Sequence, residues 1–265
     1  MKGRVLIIAG SDCSGGAGIQ ADIKSVTALG GYAATAITAL TVQNTTGVFD
    51  VLGISPEMIV YQATVTLDDI GADAIKTGML HSVPVIEAVA EFIKSKCDGI
   101  PVVIDPVMIS QSGSRLLNED AVEALITHMI PLATVLTPNI PEAEVLSGMN
   151  ISSEGDMIAA AHKIGELGAE AVLIKGGHAE GDKIVDILWR RDGDIEGFEG
   201  DRIPSENNHG TGCSLASSIA TGLAQDMGLS DAVARARAYV REAIRTAPNY
   251  GKGNGPLNHA HPVTE

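Results

Sequence analysis

Short apolar runs alternate with longer segments of helical periodicity along most of the chain. Residues 5–9 are apolar throughout, and in the segment that follows, Ile19, Ile23 and Val26 recur at helical spacing. The same alternation predicts strands at residues 5–9, 34–40, 74–77, 102–105, 134–137 and 171–175. It predicts helices at residues 16–29, 56–70, 83–96, 119–130, 141–146, 158–167, 212–227 and 230–246.

Strands that alternate with helices form a mostly parallel sheet with helices packed on both faces. The pattern changes after residue 175, because residues 184–190 and 195–203 flank a turn at 192–194 and predict an antiparallel pair at the sheet edge. We therefore predict a three-layer α/β fold with a mostly parallel central sheet and an antiparallel edge, built as one domain over residues 1–265. Ligands of such sheets bind beyond the carboxyl ends of the strands.

Composition agrees with this fold and narrows the classes of partner. Of the 265 residues, 45% are hydrophobic but only 3% are aromatic, so Ala, Val, Ile and Leu must form the core. The net charge of −15 argues against nucleic-acid and anionic-membrane partners, since both need a basic surface. No apolar run reaches the roughly 18 residues of a membrane span. Cys13, Cys97 and Cys213 include no Cys-x-x-Cys pair, which indicates reduced thiols and a cytoplasmic protein.

The strongest local signal is the segment from Asn208 to Ser214, where Gly210 and Gly212 precede a helix of small residues. Glycine lets successive N–H groups turn into one concavity, and the helix start adds the positive end of its dipole, so the loop can stabilise a phosphoryl group in transit. A thiol at a helix start can have a lowered pKa, which makes Cys213 a candidate general base. A Gly-rich turn that caps a buried helix explains the local sequence equally well.

A second glycine-rich segment, residues 10–18, follows the first strand and opens a helix. Its spacing differs from G-x-G-x-x-G, and the chain contains no G-x-x-x-x-G-K-[ST] sequence, so neither of those nucleotide-binding loops is present. The loop either lets a ligand approach the backbone closely or forms a tight turn capped by Asp12 or Ser14.

Polar residues follow several other predicted strands. The carboxamide of Gln43 can pair with the edge of a heterocycle, Asp105 and Glu142 can serve Mg²⁺, and Lys175 can contact nucleotide phosphate. Each has a simpler explanation as a turn contact, a cap or a carbonyl contact, and for Glu142 an acid in a first helical turn is favoured locally. Because the carboxyl ends of parallel strands lie at one edge, their joint occurrence there favours a shared site.

Eight segments resemble hydroxymethylpyrimidine/phosphomethylpyrimidine kinase, in order along nearly the whole chain. They are AGSDCSGGAGIQAD at 9–22, TALTVQNT at 38–45, KTGML at 76–80, DPVM at 105–108, TPNIPEA at 137–143, KGGH at 175–178, HGTGC at 209–213 and GKGNGP at 251–256. The resemblance implies a ribokinase-like fold, ATP with Mg²⁺, and two successive phosphorylations in thiamine biosynthesis. The first makes the monophosphate of a pyrimidine alcohol, and the second makes its diphosphate.

The resemblance also implies roles for individual residues. The pyrimidine would be read by Gln43, in a pocket lined by Gly10, Ala17, Gly18, Met79 and Val107. Catalysis would use Cys213 as the base and an anion hole at Gly210, Thr211 and Gly212. The nucleotide would contact Lys175, Asn139 and Asn208, and Mg²⁺ would be linked, directly or through water, to Asp105 and Glu142. Sugar kinases of the superfamily usually carry Asp at position 213, so Cys213 argues against a sugar kinase.

Two other functions stay open at this point. One is a pyridoxal/pyridoxine kinase, since related enzymes share the cysteine and much of this pocket. The other is a catalytically silent pyrimidine- or ATP-binding regulator, which would not need both the base and the anion hole. Relatives of this size are often dimers, so a homodimer is an alternative to a monomer.

Overall fold

The computed structural model describes residues 1–108, 119–178 and 182–263, and within them nine strands form one sheet. Numbered along the chain, the strands are β1 (Arg4–Asp12), β2 (Tyr32–Asn44), β3 (Gly47–Gly53), β4 (Ala74–Thr77), β5 (Val102–Ile104), β6 (Val135–Leu136), β7 (Ala171–Ile174), β8 (Lys183–Arg190) and β9 (Ile195–Asp201). Their order across the sheet is β3-β2-β1-β4-β5-β6-β7-β8-β9.

Helices cover both faces of this sheet. They are α1 (Gly18–Ala28), α2 (Pro56–Asp69), α3 (Val83–Lys96), α4 (Glu119–Ala124), α5 (Ile140–Ser147), α6 (Glu154–Gly165), α7 (Thr211–Ala224) and α8 (Leu229–Arg245). One buried cluster packs the sheet against α2 to α6, and a second packs it against α1, α7 and α8. Successive residues of β1 alternate between the clusters, with Ile8 in the first and Ile7 in the second, as strand geometry requires. The predicted three-layer α/β fold is confirmed.

The sheet is parallel from β2 through β7 and antiparallel at both ends. The predicted antiparallel pair is present as β8 and β9, but the antiparallel pairing of β3 with β2 was not predicted. Strand β3 is largely exposed, so it lacks the alternation of a half-buried strand. The side chain of Asn44 accepts hydrogen bonds from the backbone N–H and hydroxyl of Thr46 and thereby forms the turn into β3.

Two predicted helices end three or more residues earlier than expected. The helix expected at 119–130 is α-helical only to Ala124, then passes into a π-turn at Leu125–Met129 and a 3₁₀-turn at Ile130–Leu132. Pro131 has no N–H to continue the α-helical ladder, which accounts for the tighter last turn. Helix α7 ends at Ala224 because Asp226 adopts a left-handed φ of 64°.

The fold brings the carboxyl ends of the parallel strands to one edge, where the candidate residues lie. Local signals set the helices that start there: Asn139 caps α5 with a reciprocal pair of hydrogen bonds to Glu142, and Ser55 caps α2. In the residues that the structure describes, no helix is long and apolar enough to cross a bilayer. Organisation as a single domain over residues 1–265 stays a prediction.

Candidate active site

Two adjoining cavities at the carboxyl edge of the sheet contain all of the predicted site residues. The first cavity is lined by Gly10, Ala17, Gly18, Gln43, Met79, Asp105, Val107, Asn139, Glu142, Lys175, Gly210, Gly212 and Cys213. The second cavity is lined by Asn208 and Thr211, and it shares Asn139, Lys175 and Gly212 with the first. Segments far apart in the sequence therefore converge, and the two cavities meet at Lys175 and Gly212.

The carboxylate of Asp12 organises the loop between β1 and α1. Its Oδ1 accepts hydrogen bonds from the backbone N–H and hydroxyl of Ser14, and its Oδ2 accepts from the N–H groups of Gly16 and Ala17. Asp12 therefore fixes the tight turn that was expected here, although the N-cap of α1, Ala17, is not capped by a side chain. The same loop also lines the first cavity, so the two explanations of the segment hold together.

His209 joins this loop to the segment before α7. Its Nε2 lies 2.8 Å from Oδ2 of Asp12, and both side chains are buried. Burial would raise the pKa of Asp12, but hydrogen bonds from His209, Ser14 and Ala17 outweigh it and lower that pKa to about 2. The ionised Asp12 thus holds the two glycine-rich segments together across the first cavity.

The carboxamide of Gln43 points into the first cavity between two polar neighbours. Its Oε1 lies 3.1 Å from the hydroxyl of Thr41, and its Nε2 lies 3.4 Å from Nε2 of His209. When the Nε2–H of His209 donates to Asp12, that nitrogen cannot also accept from Gln43. The amide N–H groups of Gln43 are then available to a ring nitrogen of a ligand.

Met79 and Val107 supply apolar walls of the first cavity. The hydroxyl of Thr38 donates to the carbonyl of Met79 at 2.6 Å and so fixes the segment after β4. Val107 adopts a φ of 43°, which is a strained conformation for a β-branched residue. Strained backbone persists only where the surrounding structure holds it in place, and such positions are concentrated at functional sites.

Two glycines at the start of α7 let its backbone lie closer to neighbouring groups than a residue with a Cβ would allow. Gly210 has a φ of 84°, and a Cβ at this position would collide with the carbonyl oxygen of Gly16. A Cβ on Gly212 would lie 3.3 Å from Nζ of Lys175 and 3.4 Å from Oδ2 of Asp105. The start of α7 therefore presents bare backbone beside the ammonium group of Lys175, as an anion hole requires, and the nearby carboxylate of Asp105 is paired with that ammonium group.

Lys175 and Asp105 form an ion pair where the two cavities meet. Their Nζ and Oδ1 atoms lie 2.9 Å apart, and the hydroxyl of Thr137 also donates to Oδ1 of Asp105 at 3.3 Å. Burial would lower the pKa of Lys175, but Asp105 and Glu142 together raise it. Lys175 is therefore charged, as contact with phosphate requires.

Glu142 has the structural role of a helix cap. Its Oε2 accepts from the backbone N–H of Asn139 at 2.9 Å, and its Oε1 accepts from the N–H of Met108 at 3.1 Å. Burial raises the pKa of Glu142, and Lys175 opposes that rise. Both oxygens already accept backbone hydrogen bonds, which favours the water-mediated form of its predicted link to Mg²⁺.

The donor set fits a magnesium ion that is held mainly by nucleotide phosphates. No group of three or more His, Cys, Asp or Glu side chains among residues 1–108, 119–178 and 182–263 is placed to hold a metal by itself. Mg²⁺ in phosphoryl-transfer sites usually has only one or two protein carboxylates, with phosphates and water as its other ligands. Asp105 and Glu142 supply such a pair of oxygen donors beside Lys175.

The expected lowering of the pKa of Cys213 is wrong. Burial raises the pKa of this thiol to about 12, although Lys76 acts in the opposite direction. The positive end of the helix dipole does not compensate for desolvation at this depth. Cys213 nevertheless lines the first cavity together with Gln43, within a site that also holds Lys175.

Sequence reasoning missed a buried ion pair beside the first cavity, which Lys76 lines. Nζ of Lys76 lies 2.9 Å from both carboxylate oxygens of Asp22, and neither side chain is exposed. Both residues lie within segments that carry the resemblance, but neither had been given a role. A lysine in the middle of a short central strand was a signal, because a buried charge needs a partner.

Comparison with known proteins agrees with this geometry. The sequence pattern of the family described as phosphomethylpyrimidine kinase matches residues 12–258. A thiamine biosynthesis bifunctional protein of Geobacter sulfurreducens is 48% identical over 97% of this chain, which spans only 52% of that relative. A hydroxymethylpyrimidine/phosphomethylpyrimidine kinase of Rhizobium meliloti is 44% identical, with 98% of each chain covered.

A solved structure supports the fold independently. The pyridoxal kinase of Staphylococcus aureus in complex with ADP superposes with a TM-score of 0.91 at 35% identity, covering 100% of this chain and 96% of that one. The ribokinase-like fold is confirmed, and a nucleotide complex is known among the structural neighbours. The chain belongs to the phosphomethylpyrimidine kinase family, a family of kinases with the ribokinase-like fold.

Proposed function

We propose that this protein transfers phosphate from ATP to 4-amino-5-hydroxymethyl-2-methylpyrimidine and then to the resulting monophosphate, giving the diphosphate used in thiamine biosynthesis. One observation carries the proposal: the cavity that contains Gln43 and Cys213 adjoins a second cavity at Lys175 and Gly212. An acceptor in the first cavity and a nucleotide in the second would meet at the anion hole, as in-line phosphoryl transfer requires.

The first cavity suits a small heterocyclic alcohol. Gln43 offers amide donors to a ring nitrogen, while Met79 and Val107 offer apolar surface to the ring faces. The backbone of Gly10, Ala17 and Gly18 lines this cavity, and residue 18 must be glycine because a Cβ there would collide with the carbonyl oxygen of Gly10. The hydroxymethyl group would then point towards Cys213.

The second cavity suits the nucleotide. Leu215, Val240 and Ile244 give it an apolar side, and Asn139, Asn208 and Thr211 add polar groups. The buried Oδ1 of Asn208 has no hydrogen-bond partner among the residues that the structure describes, which fits a donor from the ligand. Lys175 would contact the phosphates. Mg²⁺, held by Asp105 and through water by Glu142, would neutralise phosphate charge.

Cys213 is proposed to accept the proton of the acceptor hydroxyl, directly or through a water that it orients. As the hydroxyl oxygen bonds to the γ-phosphorus, the bond from that phosphorus to the leaving ADP oxygen breaks and the proton passes to Sγ. The N–H groups at Gly210, Thr211 and Gly212 and the ammonium of Lys175 would stabilise the charge on the transferred group. Because the pKa of Cys213 is high, only a small thiolate population starts the reaction at neutral pH.

A coupled assay of ADP release with the pyrimidine alcohol tests this proposal. We expect turnover that depends on the alcohol, and a product mass that increases by one and then by two phosphate groups. ADP release that is the same with and without the alcohol would reject the proposed reaction and would favour a silent binding protein.

Pyridoxal phosphorylation is a second candidate, favoured by the close superposition on a pyridoxal kinase. Comparing kcat/KM for the pyrimidine alcohol, pyridoxal and pyridoxine in the same assay separates the two. We expect the pyrimidine alcohol to have the highest kcat/KM, because the relative that is 44% identical is named for this alcohol and its monophosphate, and the family is named for the monophosphate. A higher kcat/KM for pyridoxal would assign the protein to the other activity.

The proposal extends to the setting of the enzyme, a single domain over residues 1–265 in the cytoplasm. The cytoplasmic setting rests on the spacing of Cys13, Cys97 and Cys213, which include no Cys-x-x-Cys pair. A homodimer is supported by large apolar side chains exposed on β2, β3 and α2, which include Leu40, Val42, Phe49, Leu52, Met58, Tyr61 and Val65. Sedimentation analysis of the purified protein tests this assembly.

A further inference from the structure

The ion pair between Lys76 and Asp22 adjoins the first cavity, which Lys76 and Cys213 both line. Lys76 is in β4 and has no exposed surface in the protein, yet its side chain forms part of the wall of the first cavity. Asp22 is in α1, and the hydroxyl of Ser217 in α7 donates to its Oδ1 at 2.6 Å. Three elements of the fold therefore fix the ammonium group of Lys76 in one place.

Stability alone does not explain this arrangement. Moving two charges out of water is costly, and buried ion pairs are often replaced by apolar residues without loss of stability. The surroundings of Lys76 on this face of the sheet are apolar, with Ala74 and Val103 among its neighbours in the buried cluster. A lysine at such a position is more readily explained by its charge than by its packing.

Lys76 and Cys213 both line the first cavity, and the positive charge of Lys76 favours negative charge on Cys213. An ammonium group has three donors, and the two oxygens of Asp22 account for two of them. Ser217 follows Cys213 by one turn of α7, so the residue that fixes Asp22 shares a helical face with the thiol. Of the charged groups near Cys213, Lys76 from β4 favours the thiolate, whereas Asp22 from α1 and Asp105 after β5 oppose it, and Cys213 in turn raises the pKa of Lys175.

We propose that Lys76, fixed by Asp22 and Ser217, is a positioning residue that stabilises negative charge on the sulfur of Cys213 during proton transfer from the acceptor hydroxyl. The inference rests on the proposed function and adds a source of charge that the reaction scheme lacks. The thiol first loses its proton to solvent, and the thiolate beside Lys76 then takes the hydroxyl proton as the new P–O bond forms and ADP leaves. Lys76 itself exchanges no proton, because Asp22 raises its pKa against the effect of burial.

Two serines of α7 provide a matched pair of variants. Ser217→Ala removes the hydrogen bond to Asp22, whereas Ser218→Ala removes only a bond to the carbonyl of Ser214 within the same helix. Both residues are fully buried. We expect kcat to fall by up to about tenfold in Ser217→Ala and to stay unchanged in Ser218→Ala, with KM for the alcohol unchanged in both. Equal kcat in the two variants would overturn the proposal.

Replacing both charges of the ion pair separates the effect of the Lys76 charge on catalysis from its effect on folding. Lys76→Met alone leaves Asp22 uncompensated and is expected to be unstable, while Lys76→Met with Asp22→Asn removes both charges. In the double variant we expect the melting temperature to recover but kcat to stay about 10²-fold below that of the wild type. Recovery of kcat together with stability would show a purely structural pair and overturn the proposal.

Alkylation gives a readout that does not depend on turnover. The rate at which iodoacetamide modifies Cys213 at pH 8, followed by peptide mass spectrometry, reports its thiolate population. We expect this rate to fall about tenfold or more in the double variant, while the exposed Cys13 reacts as in the wild type. An unchanged rate at Cys213 would overturn the proposal even if the wild type lacked kinase activity, whereas an inactive wild type alone rejects only the proposed function.

Discussion

Nε2 of His209 lies 2.8 Å from Oδ2 of Asp12, although the two residues are 197 positions apart in the sequence. This contact joins the loop after β1 to the loop before α7, which together form one side of the first cavity. It also gives the protein a pH-dependent component of stability, because the carboxylate is held in its ionised form.

The sign of that dependence follows from the pKa of Asp12. Its value of about 2 in the folded protein lies below the ordinary value of 3.8, so Asp12 stabilises the fold above about pH 4, and this contribution is lost as the pH falls towards 2. We expect Asp12→Asn to lower the free energy of unfolding by about 2 kcal/mol at pH 7 and by progressively less below pH 4. Urea unfolding across this range measures the difference, and a constant difference from pH 7 to pH 2 would contradict it.

Gly210 should be irreplaceable for two reasons: its left-handed backbone conformation, and the lack of room for a Cβ beside the carbonyl of Gly16. Gly210→Ala would force a Cβ against the carbonyl of Gly16, so we expect kcat to fall by about 10²-fold through misplacement of the anion hole. Gly30 is a matched control, since its φ of 82° is nearly the same but no atom lies within 4 Å of its Cβ position. Gly30→Ala should cost about 1–2 kcal/mol of stability and leave kcat unchanged. Similar kcat values for the two variants would show that the close approach has no role.

The sequence predicted most of the fold because periodicity and caps act locally. Segments such as 74–77 and 83–96 match β4 and α3, and Asn139 caps α5 as its spacing with Glu142 suggests. Strand β3 was missed because an exposed edge strand has no buried face to produce alternation. The predicted end at residue 130 was wrong because Pro131 changes the last helical turns without interrupting the apolar pattern.

The sequence predicted which residues belong to the site, but not the contacts between their side chains. Strand-end positions identified Gln43, Asp105 and Lys175, since parallel topology brings such positions together. Pairings such as Lys76 with Asp22 depend on three-dimensional packing between residues 54 positions apart, which one sequence does not reveal. The pKa of Cys213 was mispredicted for the same reason, because the depth of burial decides it.

Activity should rise with pH if the thiolate of Cys213 is the base. With a pKa raised to about 12, the thiolate population increases tenfold for each pH unit below that value, so log kcat should rise steadily from pH 6.5 to pH 9. The base is active in its deprotonated form, which fixes the sign of the slope. Initial rates with saturating ATP and Mg²⁺ measure it, and a flat profile over this range would be inconsistent with this base.

Removal of the carboxylate of Asp105 should weaken the apparent affinity of the enzyme for Mg²⁺. We expect Asp105→Asn to raise the Mg²⁺ concentration for half-maximal activity by about tenfold or more, since one oxygen donor and its ionic partner Lys175 are both affected. Asp73→Asn is the control, because that residue pairs with Arg4 at the protein surface. Titrations of Mg²⁺ at fixed ATP compare the variants, and superimposable curves would exclude Asp105 from the metal site.

The placement of the acceptor hydroxyl beside Cys213 is tested most directly by kcat of Cys213→Ala with the pyrimidine alcohol, measured by coupled ADP release at pH 7.5. The account predicts a loss of about 10²–10⁴-fold in kcat with an unchanged melting temperature, because only the proton acceptor is removed. Turnover within a factor of about three of the wild type, in a variant that remains folded, would contradict it.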